Sequence, residues 1–147
     1  MPRKPRIERS NGIFHVINRG NYRREIFEQA GGKESFENTL YEACERFHWR
    51  LMSFSILSNH FHLGLKTPQG NLSEGMRWLQ GSFAAKFNRF RQEQGHLFQG
   101  RFKSLVVEPG MYLVNLVDYI HLNALRAGLE QANGLGKYRW SSLYYFP

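Results

Sequence analysis

Residues 59–65 read Asn-His-Phe-His-Leu-Gly-Leu, and this alternation constrains the fold more than any other stretch of the chain. In a β-strand, successive side chains point to opposite faces. Phe61, Leu63 and Leu65 then face one way, towards a core, and His60 and His62 face the other. Two imidazoles about 7 Å apart on one strand face can share a metal ion. Residues 50–57 read as a second strand, with Met52, Phe54 and Ile56 on one side. The break at Ser58-Asn59 is short, so the two strands should pair as an antiparallel hairpin, closed by Pro68, Gly70 and Asn71.

The flanking segments supply the rest of a sheet and its cover. Residues 13–18, Ile-Phe-His-Val-Ile-Asn, form a short β-branched strand ended by Arg19-Gly20-Asn21. His15 reads as a structural residue of that strand. Residues 33–48 carry one apolar stripe, Phe36, Leu40, Ala43, Cys44 and Phe47, at helical spacing. Asn71 with Glu74 three residues on marks a helix start. That helix should run to about residue 93, with Leu72, Met76, Leu79, Phe83, Phe87 and Phe90 inward and Arg77, Lys86, Arg89 and Arg91 outward. Leu105–Val107 reads as a short strand. Pro109 suits the first turn of a third helix reaching about Ala127, with Gly128 as its C-cap. The aromatic tail, Tyr138 to Phe146, should pack on the body. The order β-α-β-β-α-β-α predicts an α+β sandwich, a single domain over residues 1–147 with residues 1–12 as a flexible basic arm.

Composition narrows the partner. The net charge of +8 favours a polyanion, nucleic acid before an anionic membrane. Arg3, Lys4, Arg6 and Arg9 crowd the first ten residues, and a second cationic stretch runs from Arg77 to Lys103, interleaved with aromatics that suit base stacking. No apolar run approaches the ~20 residues that span a bilayer. The one cysteine, Cys44, forbids an internal disulfide and fits a reducing compartment. A cytoplasmic location is expected, the N-terminus lacking a signal-peptide core.

The third helix adds chemistry. Tyr112, Asn115, Tyr119 and Asn123 form a polar stripe opposite Leu113, Leu116, Val117, Ile120 and Ala124. Tyr119 and Asn123 are one turn apart and face the same way. A phenol, with pKa about 10, attacks a phosphodiester only if the developing charge is neutralised. A cation held by His60 and His62, with the carbonyl oxygen of Asn123 as third ligand, would do that. Each piece alone has a plain reading: an incidental histidine pair, a core or surface tyrosine, a locally bonded asparagine. The conjunction carries the argument. His121, about 200° around the helix from Tyr119, is not assigned as a ligand.

His60-Phe61-His62 matches the histidine–hydrophobe–histidine motif of the HUH nucleases, and Tyr119-Ile-His-Leu-Asn123 resembles the tyrosine motif of their single-tyrosine transposases. Phe14-His15-Val16, Asn18-Arg19-Gly20-Asn21, Gly95 to Lys103, Tyr119 to Gly128 and Trp140-Ser141-Ser142 fall in the order seen in REP-associated tyrosine transposases, relatives of the smallest insertion-sequence transposases. The resemblance spans nearly the whole chain. It implies a ferredoxin-like fold and a cut in single-stranded DNA near hairpins through a 5′-phosphotyrosine. Tyr119 would be the nucleophile and His60, His62 and Asn123 the ligands of Mg²⁺ or Mn²⁺; imidazoles alone would suit zinc equally well.

Arg3, Lys4 and Arg6 would contact the hairpin or its foot. Arg89, Arg101 and Lys103 would hold backbone phosphate, with His96 also at phosphate, and Phe98 or Phe102 would stack a base. Ser58 and Ala124 stand where the family usually has proline; the second should make the helix more continuous past Asn123. Monomer and homodimer, with Tyr119 acting in cis or reaching a partner, both fit. The competing reading is a non-catalytic single-stranded DNA- or RNA-binding domain, needing no metal.

Overall fold

The computed structural model describes residues 10–28, 31–128 and 138–145. Four strands form one sheet: β1 (Gly12–Arg19), β2 (Arg50–Ile56), β3 (His60–Thr67) and β4 (Lys103–Val106). Their spatial order is β2-β3-β1-β4, every neighbouring pair antiparallel. Helices α1 (Gly32–Phe47) and α2 (Leu72–Arg91) follow β1 and β3. This is the α+β, ferredoxin-like arrangement.

The pleat separates two environments. On one face Phe14 and Val16 of β1, Phe54 and Ile56 of β2, and Phe61, Leu63 and Leu65 of β3 are sealed under Phe36, Leu40, Met76, Leu79 and Phe83 of α1 and α2. Each such side chain contributes about 2 kcal/mol by leaving water. Cys44 packs at the edge of this core, and burial pushes its thiol up to about 12. The opposite face carries α3 (Met111–His121), which lies over β2 and β3. The tail closes the outer edge of β2: Ile56 N donates to Trp140 O (2.8 Å), Phe54 N donates to Ser142 Oγ (2.9 Å), and Arg139 makes a two-pronged ion pair with buried Glu37. An edge strand so covered cannot template pairing with another chain.

Several expectations are corrected. A bulge between Leu51 and Ser53 shifts the phase of β2, so Leu51 rather than Met52 joins Phe54 and Ile56 on the core side. Phe90 is 78% exposed, in the last turn of α2. Asn71 makes no capping bond; its amide instead joins Trp49 Nε1 (3.0 Å) to Phe47 O (3.0 Å). Gly110, not Pro109, precedes the first turn of α3. That helix breaks at Leu122, and α4 (Asn123–Arg126) resumes it for one turn, so Ala124 does not make it continuous; Gly128 does end the segment, at φ +73°. Residues 11 and 12, expected in the flexible arm, are tied to the sheet: Asn11 N donates to Thr67 O (2.8 Å) and β1 starts at Gly12.

Gly75 faces the Trp49 indole so closely that a Cβ there would sit 2.0 Å from the ring. Ala would otherwise favour α2 by about 1 kcal/mol. The Gly75→Ala chain is nevertheless expected to lose roughly 1–3 kcal/mol through overpacking, read as a lower urea midpoint. An unchanged or raised midpoint would show that Trp49 does not hold its place.

Candidate active site

Strand alternation puts His60 and His62 of β3 and His15 and Arg19 of β1 on the face away from the core. On that face Gly64 of β3 pairs with His15. A Cβ on Gly64 would lie 2.9 Å from Ser53 Oγ and 3.6 Å from both Leu116 and Ile120. The bare backbone there lets α3 settle on the sheet through Leu116 and Ile120, both buried. Tyr119, one residue before Ile120, is thereby carried over the histidines.

The side chains meet as follows. The His60 and His62 rings stand 5.1 Å apart, centroid to centroid, and the Tyr119 ring lies 5.9 Å from His62, edge-on. His60 Nδ1 bonds to Asn59 Oδ1 (2.8 Å), and His62 Nδ1 bonds to His15 Nε2 (3.0 Å). Each ring is left with Nε2 as its donor atom for a cation. Burial is the first cause that depresses both imidazoles: His62 falls to about 3, with His60, His15 and Arg126 adding repulsion, and His60 is lowered further by Arg19. Both are therefore uncharged near neutral pH, the form that binds metals. The Arg126 guanidinium caps the Tyr119 ring at 4.4 Å, and Tyr119 keeps 38% of its surface exposed.

An open cleft of about 600 Å³ joins these groups. His60, His62 and Tyr119 line it, and Arg19, Arg23, Arg101 and Lys103 surround it with positive charge, Arg19 being pinned by Gln99 Oε1 (2.6 Å). Asn123 is buried just behind; its Nδ2 donates to Ser55 Oγ (3.5 Å), and Ser55 pairs with His62 across the hairpin. Asn123, on α4, is thus held against the strand pair that carries His62, but it is not among the residues that line the cleft. Among the described residues no three or more His, Cys, Asp or Glu side chains gather as a metal cage, so a cation here would complete its shell with amide, water or phosphate oxygen.

The other expected contacts divide. Arg101 and Lys103 do border the cleft. Arg89 does not: it is on α2, behind the opposite face of the sheet. His96 is exposed in a separate groove with Arg77 and Gln80. Phe98 and Phe102 are buried, Phe98 packing on Phe61 and Phe83, so neither offers a face to a base. Arg3, Lys4 and Arg6 lie outside the described residues. His121 turns away to Ser142 Oγ (2.6 Å). His15 is the residue the sequence reading missed: its ring lies 5.2 Å from that of His62 and 5.7 Å from that of Tyr119, centroid to centroid. Alternating with the core residues Phe14 and Val16, it lies on the face away from the core, and the β1–β3 pairing brings it to His62.

The profile of the IS200-like transposases matches residues 8–123, most of the chain, including His15, His60, His62, Tyr119 and Asn123. The chain belongs to that family. A Haemophilus influenzae protein bearing the name of a REP-associated tyrosine transposase is 25% identical over 104 residues, 63% of this chain. The match spans 59% of that relative's length. The fold agrees with a solved REP-associated tyrosine transposase bound to a REP hairpin, at a TM-score of 0.81, 15% identity, and 99% of this chain against 84% of that one. A Deinococcus radiodurans protein described as a transposase gives a TM-score of 0.54 at 16% identity, over 90% of this chain and 98% of that one.

In this member of the IS200-like family, Gly64 sets the height of the tyrosine over the histidines. Gly64→Val should lift α3, and the cross-relaxation between Tyr119 and the His15 and His62 ring protons should weaken at least severalfold while the chain remains folded. Undiminished cross-peaks would show that α3 is held by other contacts.

Proposed function

We propose that the chain cuts and rejoins single-stranded DNA beside hairpins, with Tyr119 as nucleophile. The observation that carries this is the exposed Tyr119 ring standing 5.9 Å from His62 at the edge of a cationic cleft. The Tyr119 oxygen attacks phosphorus in line with the 3′ oxygen. The new bond is phosphorus to the phenolic oxygen and the bond broken is phosphorus to O3′. The phenol proton leaves to solvent and the departing oxygen takes one up, giving a 5′-phosphotyrosine and a free 3′-OH. One ester replaces another, so the step needs no ATP and can be reversed by a 3′-OH.

The chain's own groups divide the work. Arg19, Arg23, Arg101 and Lys103 hold backbone phosphate, and Arg126 keeps the Tyr119 ring in position. His60 and His62, with Asn123 behind them, would hold Mg²⁺ or Mn²⁺. Such an ion, when bound, supplies Lewis-acid stabilisation of the charge building on the phosphate oxygens. Hairpin recognition is proposed by analogy with the solved relative that carries one. A cytoplasmic site of action belongs to the same reading.

The test is a labelled single-stranded hairpin oligonucleotide with Mn²⁺, resolved on a denaturing gel. The wild-type chain should give a slow covalent band, Tyr119→Phe none above background, and excess EDTA none. A non-catalytic binding domain would shift the DNA on a native gel but give no covalent band under any condition. A band retained by Tyr119→Phe would remove Tyr119 from the chemistry.

A further inference from the structure

We infer that His15 is a positioning residue: it accepts the Nδ1 proton of His62 and so presents the His62 Nε2 lone pair to the cation. The inference rests on the metal-dependent reading above and deepens it. Three features of the site carry it.

The first is the bond itself. His15 Nε2 and His62 Nδ1 are 3.0 Å apart, between side chains that are 8% and 5% exposed. Two bare nitrogens at that distance would repel, and two N–H groups would clash, so one proton is shared. If His15 Nε2 carries it, an uncharged His62 has its own proton on Nε2 and cannot bind a cation there. If His62 Nδ1 carries it, Nε2 is bare. The pair therefore has one ligating state and one inert state.

The second is the parallel at His60. There the Nδ1 partner is Asn59 Oδ1 at 2.8 Å, whose amide nitrogen is committed to Arg23 O (3.2 Å). An amide oxygen only accepts, so His60 must donate from Nδ1 and is left with Nε2 bare. The protein thus fixes one imidazole with a local oxygen and the other with a nitrogen from the neighbouring strand. Metal-bound histidines commonly give their second N–H to such an acceptor, which sets tautomer and ring orientation.

The third is the absence of a rival role. His15 Nε2 is turned to His62 and not to the cleft, and His15 is not among the residues lining it. Its ring lies 5.2 Å from that of His62 at 26° and 5.7 Å from that of Tyr119 at 71°, centroid to centroid, so it touches ligand and nucleophile together. It can therefore hold ligand and nucleophile in mutual register without touching DNA.

The test compares His15→Phe, which keeps an aromatic volume without an acceptor, with His15→Gln, which keeps an acceptor oxygen. Mn²⁺ binding is measured by the loss of the free-ion electron paramagnetic resonance signal, and hairpin binding is measured separately in EDTA. His15→Phe should weaken Mn²⁺ binding tenfold or more, the range found when an outer partner of a metal ligand is lost. His15→Gln should recover most of that loss, and both should bind the hairpin as the wild type does. Equal Mn²⁺ affinity in His15→Phe and wild type would overturn the role.

A second readout needs no variant. Long-range ¹H–¹⁵N spectra of the metal-free wild-type chain should show His62 protonated at Nδ1 and His15 bare at Nε2; the reverse assignment would overturn the inference even if His15→Phe fails to fold. The double variant His60→Ala/His62→Ala separates this from the larger reading. If it too binds Mn²⁺ like the wild type, the metal is held elsewhere and both proposals fall.

Discussion

A slip of β3 by one residue would carry His60 and His62 into the core and leave Phe61, Leu63 and Leu65 facing α3. The burial of those three apolar side chains, and of Phe14 and Val16 paired beside them, makes that slip cost several kcal/mol. The register of one strand is thus what holds two imidazoles on the wet side of the sheet. Gly64 completes the device. It is the position on that same face where a side chain is missing, and α3 enters the space.

Electrostatics at the cleft works in two ways at once. Arg19, Arg23, Arg101 and Lys103 border the cleft, and Arg126 caps Tyr119 at its side. The same cations, added to burial, depress the imidazoles, His60 through Arg19 and His62 through Arg126. Cations that make the cleft positive therefore also keep the histidines uncharged, the form of imidazole that can ligate a metal. A carboxylate beside either histidine would favour protonation and work against this.

Much of the fold was legible in the sequence because the signals were local. Residues 50–65 announced a hairpin, Phe36 to Phe47 a helix stripe, and the His60–His62 spacing a shared face. The misreadings arise where geometry is not local. The bulge at Leu51/Ser53 changes strand phase without a glycine or proline to mark it. Phe90 continues a perfect apolar stripe, yet it is exposed in the last turn of α2. Phe98, between glycines and cations, looks like a stacking residue, but the bridge between Gly20 and Phe98 pulls it onto Phe61. His15 is the clearest case. Its meaning depends on which strand lies next to β3, and that neighbour is more than forty residues away in sequence.

The central claim is that the phenolic oxygen of Tyr119 becomes covalently joined to DNA. The most direct measurement is tandem mass spectrometry of the wild-type chain after reaction with a single-stranded hairpin, nuclease trimming and tryptic digestion. The account predicts a 5′-nucleotide mass on the peptide spanning Ser104 to Arg126, with fragment ions that place it on Tyr119. The same mass on Tyr112, on any residue outside that peptide, or on none under conditions where the DNA is cut, would contradict it.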